Sequence, residues 1–212
     1  MKNLLVSIAS SIILFGCGIE NKESLTVQIQ EEEAVKIDKK ATTDHVIYKV
    51  TNDSISNLKW TGSALGKEHF GSVDFEGSLG VKNGQLLSGL LIFNLKTINT
   101  QDLNGGLKMK LDNHLKGGDF FSVSEFPSAQ LEILKYDGIN LTGDLTIKEI
   151  TKEITFPATI IVNSTEITGQ ANFTINRTDF GVVYGSGNFF DLAKDQVISD
   201  EILFDVSIKA IN

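Results

Sequence analysis

One cysteine, Cys17, stands in this chain of 212 residues, so no disulfide can close within it. No apolar run approaches the roughly 20 residues that a membrane-spanning helix needs. Lysine and arginine total 19 against 27 aspartates and glutamates, and the basic residues form no cluster. Nucleic acid binding requires concentrated positive charge to displace counterions, so that class of function is excluded. The three histidines, His45, His69 and His114, are widely separated, with no i,i+4 pair and no H-E-x-x-H, and the sequence nominates no metal site. A serine nucleophile elbow, G-x-S-x-G, is missing too, because Gly185-Ser186-Gly187 lacks its spacing.

What is present begins with Met1-Lys2-Asn3 and an apolar stretch from Leu4 to Phe15, the pattern of a secretion signal. Leu14-Phe15-Gly16-Cys17 resembles the lipobox of bacterial lipoproteins, in which a small residue precedes the cysteine that is acylated. Residues 1–16 are therefore expected to be a signal peptide and Cys17 a lipidation site, which also removes it as a catalytic nucleophile. Acyl chains contribute roughly 0.8 kcal/mol per buried CH₂, enough for several on one residue to hold a protein on a membrane. Residues 17–44 carry Glu31-Glu32-Glu33 and Lys39-Lys40 with few large apolar residues, and are expected to be a flexible acidic tether. The expected location is the periplasmic side of a membrane, with Gly18 after Cys17 favouring the outer one. In that setting the N-x-S/T matches at Asn140, Asn163, Asn172 and Asn176 carry no glycosylation. The formal charge is −8, and one unit more negative without Lys2.

From His45 to Asn212 the chain has the length of one domain and a dominant period of two. Val73, Phe75, Gly77 and Leu79 alternate with Ser72, Asp74, Glu76 and Ser78. The same alternation runs through Ile139 to Lys148, Ile154 to Val162, Ala171 to Ile175 and Ile202 to Ala210, and less regularly through Val46–Val50, Ser88–Leu95 and Ala129–Tyr136. Turn residues separate these runs at Lys82-Asn83-Gly84, Asp137-Gly138 and Asn163-Ser164-Thr165. About eight antiparallel strands must stack as a sandwich or close as a barrel, and closure removes the exposed edges. An eight-stranded barrel is filled by side chains or holds one small ligand. Charged residues recur on the polar faces, so the apolar faces point inward, opposite to a barrel that spans a bilayer. Leu103, Leu107, Leu111 and Leu115 predict one amphipathic helix over Asp102–Lys116, with a start weakened by Gly105-Gly106, an end at Gly117-Gly118 and a place over the barrel's side or one end.

Several segments then carry a family resemblance, in order: His114-Leu115-Lys116, Asp119-Phe120-Phe121, Phe126-Pro127-Ser128-Ala129, Thr142 to Lys148, Thr151-Lys152, Phe156-Pro157, Arg177 to Gly181 and Tyr184 to Asp191. Together they resemble the YceI-like family of bacterial exported proteins. Glu149 departs from the usual pattern, which has glycine there. The resemblance implies an all-β, lipocalin-like antiparallel barrel with one short amphipathic helix. It also implies an elongated cavity for a polyisoprenoid or similar long amphiphile, a ligand and not a cofactor.

Under that reading Phe75, Phe93, Phe120, Phe121, Phe126, Phe156, Phe173 and Tyr184 are the expected lumen residues. Phe120, Phe121 and Phe126, with Tyr184, Phe189 and Phe190, lie outside regular strands and are expected at the mouth. His114, Lys116 and Arg177 are the expected head-group contacts. The competing reading makes the phenylalanines core, pairs Arg177 with Asp179 or another carboxylate, and has His114 cap helix carbonyls. His69 beside Glu68 reads most simply as a turn residue. Two further functions stay open: a solid barrel that binds a partner through its outer surface, and an enzyme acting on a lumen-bound lipid, for which no convergent polar group is nominated. A homodimer is compatible with the sequence.

Overall fold

Period-two alternation produces a closed sheet because each strand can bury its apolar face only by turning it toward a shared axis. The computed structural model describes residues 45–51, 54–64, 66–190 and 197–212, so the readings of the signal, Cys17 and the tether lie outside it. β1 (Val46–Val50) and β2 (Asn57–Ala64) run one after the other along β11 (Ile198–Ile211). β3 (Lys67–Ser72) and β4 (Phe75–Lys82) return beside them, β3 on β2 and β4 on β1. From β4 the sheet proceeds antiparallel through β5 (Gln85–Asn94), β7 (Ser128–Tyr136), β8 (Asn140–Ile147), β9 (Ile150–Val162) and β10 (Glu166–Asn176) to β11. The two-residue β6 (Asn99–Thr100) adds to β3. Since β1 and β2 form one wall, and β3 and β4 another, the barrel has eight walls and closes where β11 meets the first.

The eight expected strands each lie in a different wall, but the first two walls are longer than the alternation suggested. Leu58 and Trp60 alternate with Lys59 and Thr61 in β2, yet Gly62 and Ser63 dilute the signal. Outside, Glu132 pairs with Asp144 and Asp144 with Glu153, so the outer wall is charged. No helix among the described residues is long and apolar enough to cross a membrane.

The turns follow their residue types. Asn83 (φ 53°) and Gly84 (φ 75°) make the β4–β5 connection with both central residues left-handed. Asp137 Oδ1 accepts the N–H groups of Ile139 (2.9 Å) and Asn140 (2.7 Å), which hold its carboxyl below the usual range. Lys148 (φ 50°) and Glu149 (φ 62°) make the β8–β9 turn in the same left-handed form. Glu149 carries a Cβ in this conformation, at a cost of about 1–2 kcal/mol.

The barrel interior is divided. Toward the β4–β5, β7–β8 and β9–β10 turns it is solid with Tyr48, Leu79, Val81, Leu86, Ile133, Leu141, Ile167 and Ala210. Tyr48 Oη donates to Asn163 O at 2.9 Å across that end. Toward the β2–β3 and β8–β9 turns the interior holds a cavity, and over it lies α1 (Gly105–Lys116). The helix starts three residues later than the predicted Asp102, because Asn104 is extended and Gly105 takes φ 57°. Asp102 is instead bonded to β3, as described below.

Candidate functional site

The cavity encloses about 160 Å³. Its walls are almost wholly apolar: Leu58, Trp60, Phe93, Leu131, Phe173 and Phe204 among others from the strands, and Leu111, His114 and Leu115 from α1. An engineered dry cavity of roughly 150 Å³ takes one benzene-sized molecule, so this space fits a segment of a chain and not a long lipid in full.

Of the expected lumen residues, Phe93, Phe120, Phe121 and Phe173 are on the cavity wall. Phe75 and Phe156 are buried outside it, each packed against a ring that lines it. Phe75 lies 5.8 Å from Phe93, and Phe156 stacks on Phe173 with centroids 3.9 Å apart and planes 11° apart. Phe126 is half-buried in the turn after α1, its N–H bonded to Ser122 O at 2.9 Å, and does not line the cavity. Tyr184 is 44% exposed and sits edge-on to His114 at 4.9 Å, outside the lumen. Phe189 and Phe190 are exposed beside it in sequence.

The expected head-group contacts separate in the same way. Lys116 does not line the cavity. His114 does, with its ring between Phe120 (5.4 Å) and Tyr184 and no side-chain hydrogen bond among the described residues. Arg177 touches the cavity but its donors are committed elsewhere. Nε donates to Ser199 O (2.9 Å), Nη1 to Val182 O, and Nη2 to Ile198 O (3.0 Å) and Asp200 Oδ1 (3.2 Å). Its guanidinium lies 5.3 Å from the Phe120 ring. Burial pushes the Arg177 pKa down and Asp200 opposes that shift. Asp200 also accepts from Ser186 Oγ (2.9 Å) and Asn188 Nδ2 (2.7 Å), so the Arg177 to Asn188 stretch is fastened to the start of β11. The ion pair is with Asp200, near the start of β11, so of the carboxylates open to Arg177 in the competing reading it is not Asp179 but another that pairs with it.

Two features of the site escaped the sequence reading. His69 is a β3 residue on the cavity wall, and its Nδ1 meets Asp102 Oδ2 at 2.7 Å. Asp102 Oδ1 also accepts the Phe70 N–H at 3.0 Å. The residues are 33 apart, so only the fold could show the pair; a period-two assignment reaching β3 would have placed His69 on the inner face. The second is Trp60, the sole tryptophan, which lines the cavity with Nε1 buried and unpartnered among the described residues.

Asp102 and Asp112 fasten the α1 segment over the opening. Asp112 Oδ1 accepts the Thr100 N–H (2.8 Å) and Oδ2 meets Lys108 Nζ (2.6 Å). Burial raises both carboxyls, but it is outweighed at Asp102 by the bonds from His69 and Phe70 and at Asp112 by those from Lys108 and Thr100, so both pKa values are lowered from 3.8. A carboxyl lowered by folding stabilises the fold above its ordinary value, and that stability is lost as pH falls through the folded value. Below about pH 4 the melting temperature is therefore expected to fall, with amide exchange in α1 rising first. A D102N/D112N double variant should show a shallower acid dependence between pH 5 and pH 2 than the parent. Equal slopes would remove these carboxylates as the latch.

Comparison with known proteins places the chain as follows. The YceI-like domain family model matches residues 48–210. A UPF0312 protein of Staphylococcus aureus is 38% identical over 78 residues, 34% of this chain and 46% of the relative. One of Pseudomonas aeruginosa is 31% identical over 96 residues, 41% of this chain and 50% of the relative. This chain spans about half the length of the curated relatives it matches. Among solved structures, BcnA of Burkholderia cenocepacia is similar with TM-score 0.57 and 18% identity, covering 73% of this chain and 95% of that one. A polyisoprenoid binding domain from Saccharophagus degradans is similar with TM-score 0.57 and 15% identity, over 77% and 97%. The YCEI protein of Campylobacter jejuni follows with TM-score 0.52 and 22% identity, over 66% and 81%. At these identities the structures share the fold.

Proposed function

We propose that this chain, which belongs to the YceI-like domain family, binds a long-chain amphiphilic lipid in its lumen and does so as a carrier, not an enzyme. The ligand class is a polyisoprenoid, an isoprenoid quinone or a fatty-acid-like molecule. The observation that carries this reading is the apolar cavity at one end of a barrel whose other end is solid. Such a shape takes an elongated apolar group end-on and leaves its polar end at the mouth. The likeness in fold to a polyisoprenoid binding domain supports it.

Size adds a condition. With a volume of about 160 Å³, the cavity offers less room than a long chain needs. In this proposal the ligand gains it by displacing the side chains that α1 lays over the opening, Leu111 and Leu115, and by extending through the mouth. Acylation of Cys17 and export to the periplasm complete the proposal, since they would put the barrel beside a membrane that supplies such lipids.

The test is to express residues 18–212, extract the purified protein with organic solvent, and identify co-purifying lipid by mass spectrometry. A stoichiometric long-chain lipid is the expected result. Protein that is empty by native mass spectrometry, and that leaves Trp60 fluorescence unchanged on titration with isoprenoid lipids, would overturn the reading in favour of a barrel that binds a partner through its outer surface.

A further inference from the structure

The cavity wall offers a bound amphiphile few polar groups: Arg177 and Ser199 are already engaged, and Trp60 Nε1, buried and unpartnered among the described residues, can only donate. Arg177, the chain's only arginine, is occupied by three backbone carbonyls and Asp200. The Ser199 carbonyl is taken by Arg177, and the Ser199 hydroxyl accepts the Glu201 N–H at 3.1 Å. His114 is wedged between aromatic rings with nothing to orient its nitrogens.

His69 differs from each of these. It lines the cavity from β3, opposite Gly62 of β2, and its side chain is 25% exposed. One ring nitrogen, Nδ1, is fixed by Asp102 at 2.7 Å, while Nε2 has no partner among the described residues. Asp102 in turn is fixed by the Phe70 N–H, so the ring is held by a carboxylate that is itself held. A buried-edge histidine bonded to a carboxylate has its tautomer set by that bond. In the neutral ring the proton sits on Nδ1, and Nε2 presents a lone pair.

We infer that His69 Nε2 is the head-group contact of the lumen, and that it accepts a hydrogen bond from a hydroxyl-bearing isoprenoid such as a prenol. This rests on the lipid-binding reading and names the head group it favours. A phosphate head is the poorer match, because the sole arginine is committed and the Asp102 carboxylate bonded to His69 repels it. A head that only accepts hydrogen bonds, such as an ether, leaves the Nε2 lone pair unmatched. Asp102 acts as a positioning residue.

The experiment compares farnesol with farnesyl methyl ether, which keeps the chain and the oxygen but lacks the donor. Each is titrated at pH 8 into the acylation-free full domain, residues 18–212, and followed through Trp60 fluorescence. The parent is expected to bind the alcohol about three- to tenfold more tightly than the ether, the effect of one net hydrogen bond. In His69→Phe the alcohol-to-ether ratio should fall to about 1, whatever happens to the absolute affinities. A parent that binds both equally overturns the inference and leaves lipid binding standing. A preference that survives in His69→Phe overturns it too. Binding of neither compound by the parent overturns the lipid-binding reading itself and the inference with it.

Discussion

Replacing Arg177 by leucine is expected to destabilise the barrel by about 3–5 kcal/mol, the usual consequence of removing one partner from a buried charged network. Only 1% of Arg177 is exposed, and its loss removes the guanidinium donors from the carbonyls of Ser199, Val182 and Ile198 and from Asp200 Oδ1. Stabilities of single domains run to roughly 5–15 kcal/mol, so the variant should be marginal at 37 °C. Lysine should rescue little, because an ammonium cannot reach three carbonyls in the plane of a guanidinium fork. Asp200→Asn should cost less, since the amide oxygen can still accept. Urea denaturation of the three variants measures this, and a loss below 1 kcal/mol in Arg177→Leu would show that water replaces the network. A head-group role for Arg177 predicts the reverse pattern, unchanged stability with weakened binding.

Gly62→Phe is expected to abolish lipid binding, by a hundredfold or more, without unfolding the protein. Gly62 lines the cavity from β2, its backbone lies outside the left-handed region, and a Cβ there meets nothing within 4 Å. The added ring enters a space of about 160 Å³, close to what one aromatic ring fills, and competes with the ligand for the same volume. Burial of a phenylalanine contributes roughly 1.5–3 kcal/mol, and a strand favours it over glycine, so the melting temperature should hold or rise. Binding that persists in a folded Gly62→Phe protein would mean that the ligand lies elsewhere.

The barrel was legible in the sequence because each wall must obey one period over its whole length. Leu141, Gly143, Leu145 and Ile147 of β8 show it without interruption. The β2–β3 pair was less legible, since Gly62, Ser63 and Gly71 carry little hydropathy signal; Gly71 is glycine because a Cβ there would strike Asn99 O and the Trp60 ring at 2.6 Å. The site was read more coarsely. That Phe75, Phe156 and Phe173 face inward follows from period, but whether an inward ring meets space or another ring depends on which neighbour stacks against it. Phe156 and Phe173 are neighbours in a stack, and only one of them borders the cavity. Arg177 illustrates the other limit: a conspicuous cation in a motif suggests a ligand, while its partners at Val182, Ile198 and Ser199 are backbone atoms with no sequence signature.

The placement of the solid end has a topographical consequence. β1 begins at that end, beside the last residues of β4, so whatever precedes His45 leaves the barrel from the pole opposite its opening. β11, with 14 residues, makes the barrel about 35 Å tall at the usual strand rise and tilt. If Cys17 is the attachment point, the 28 residues from there to His45 can span at most about 100 Å. Added to the height of the barrel, that reach lets the opening stand as much as about 135 Å from such an attachment, in any orientation that a tether of this length allows.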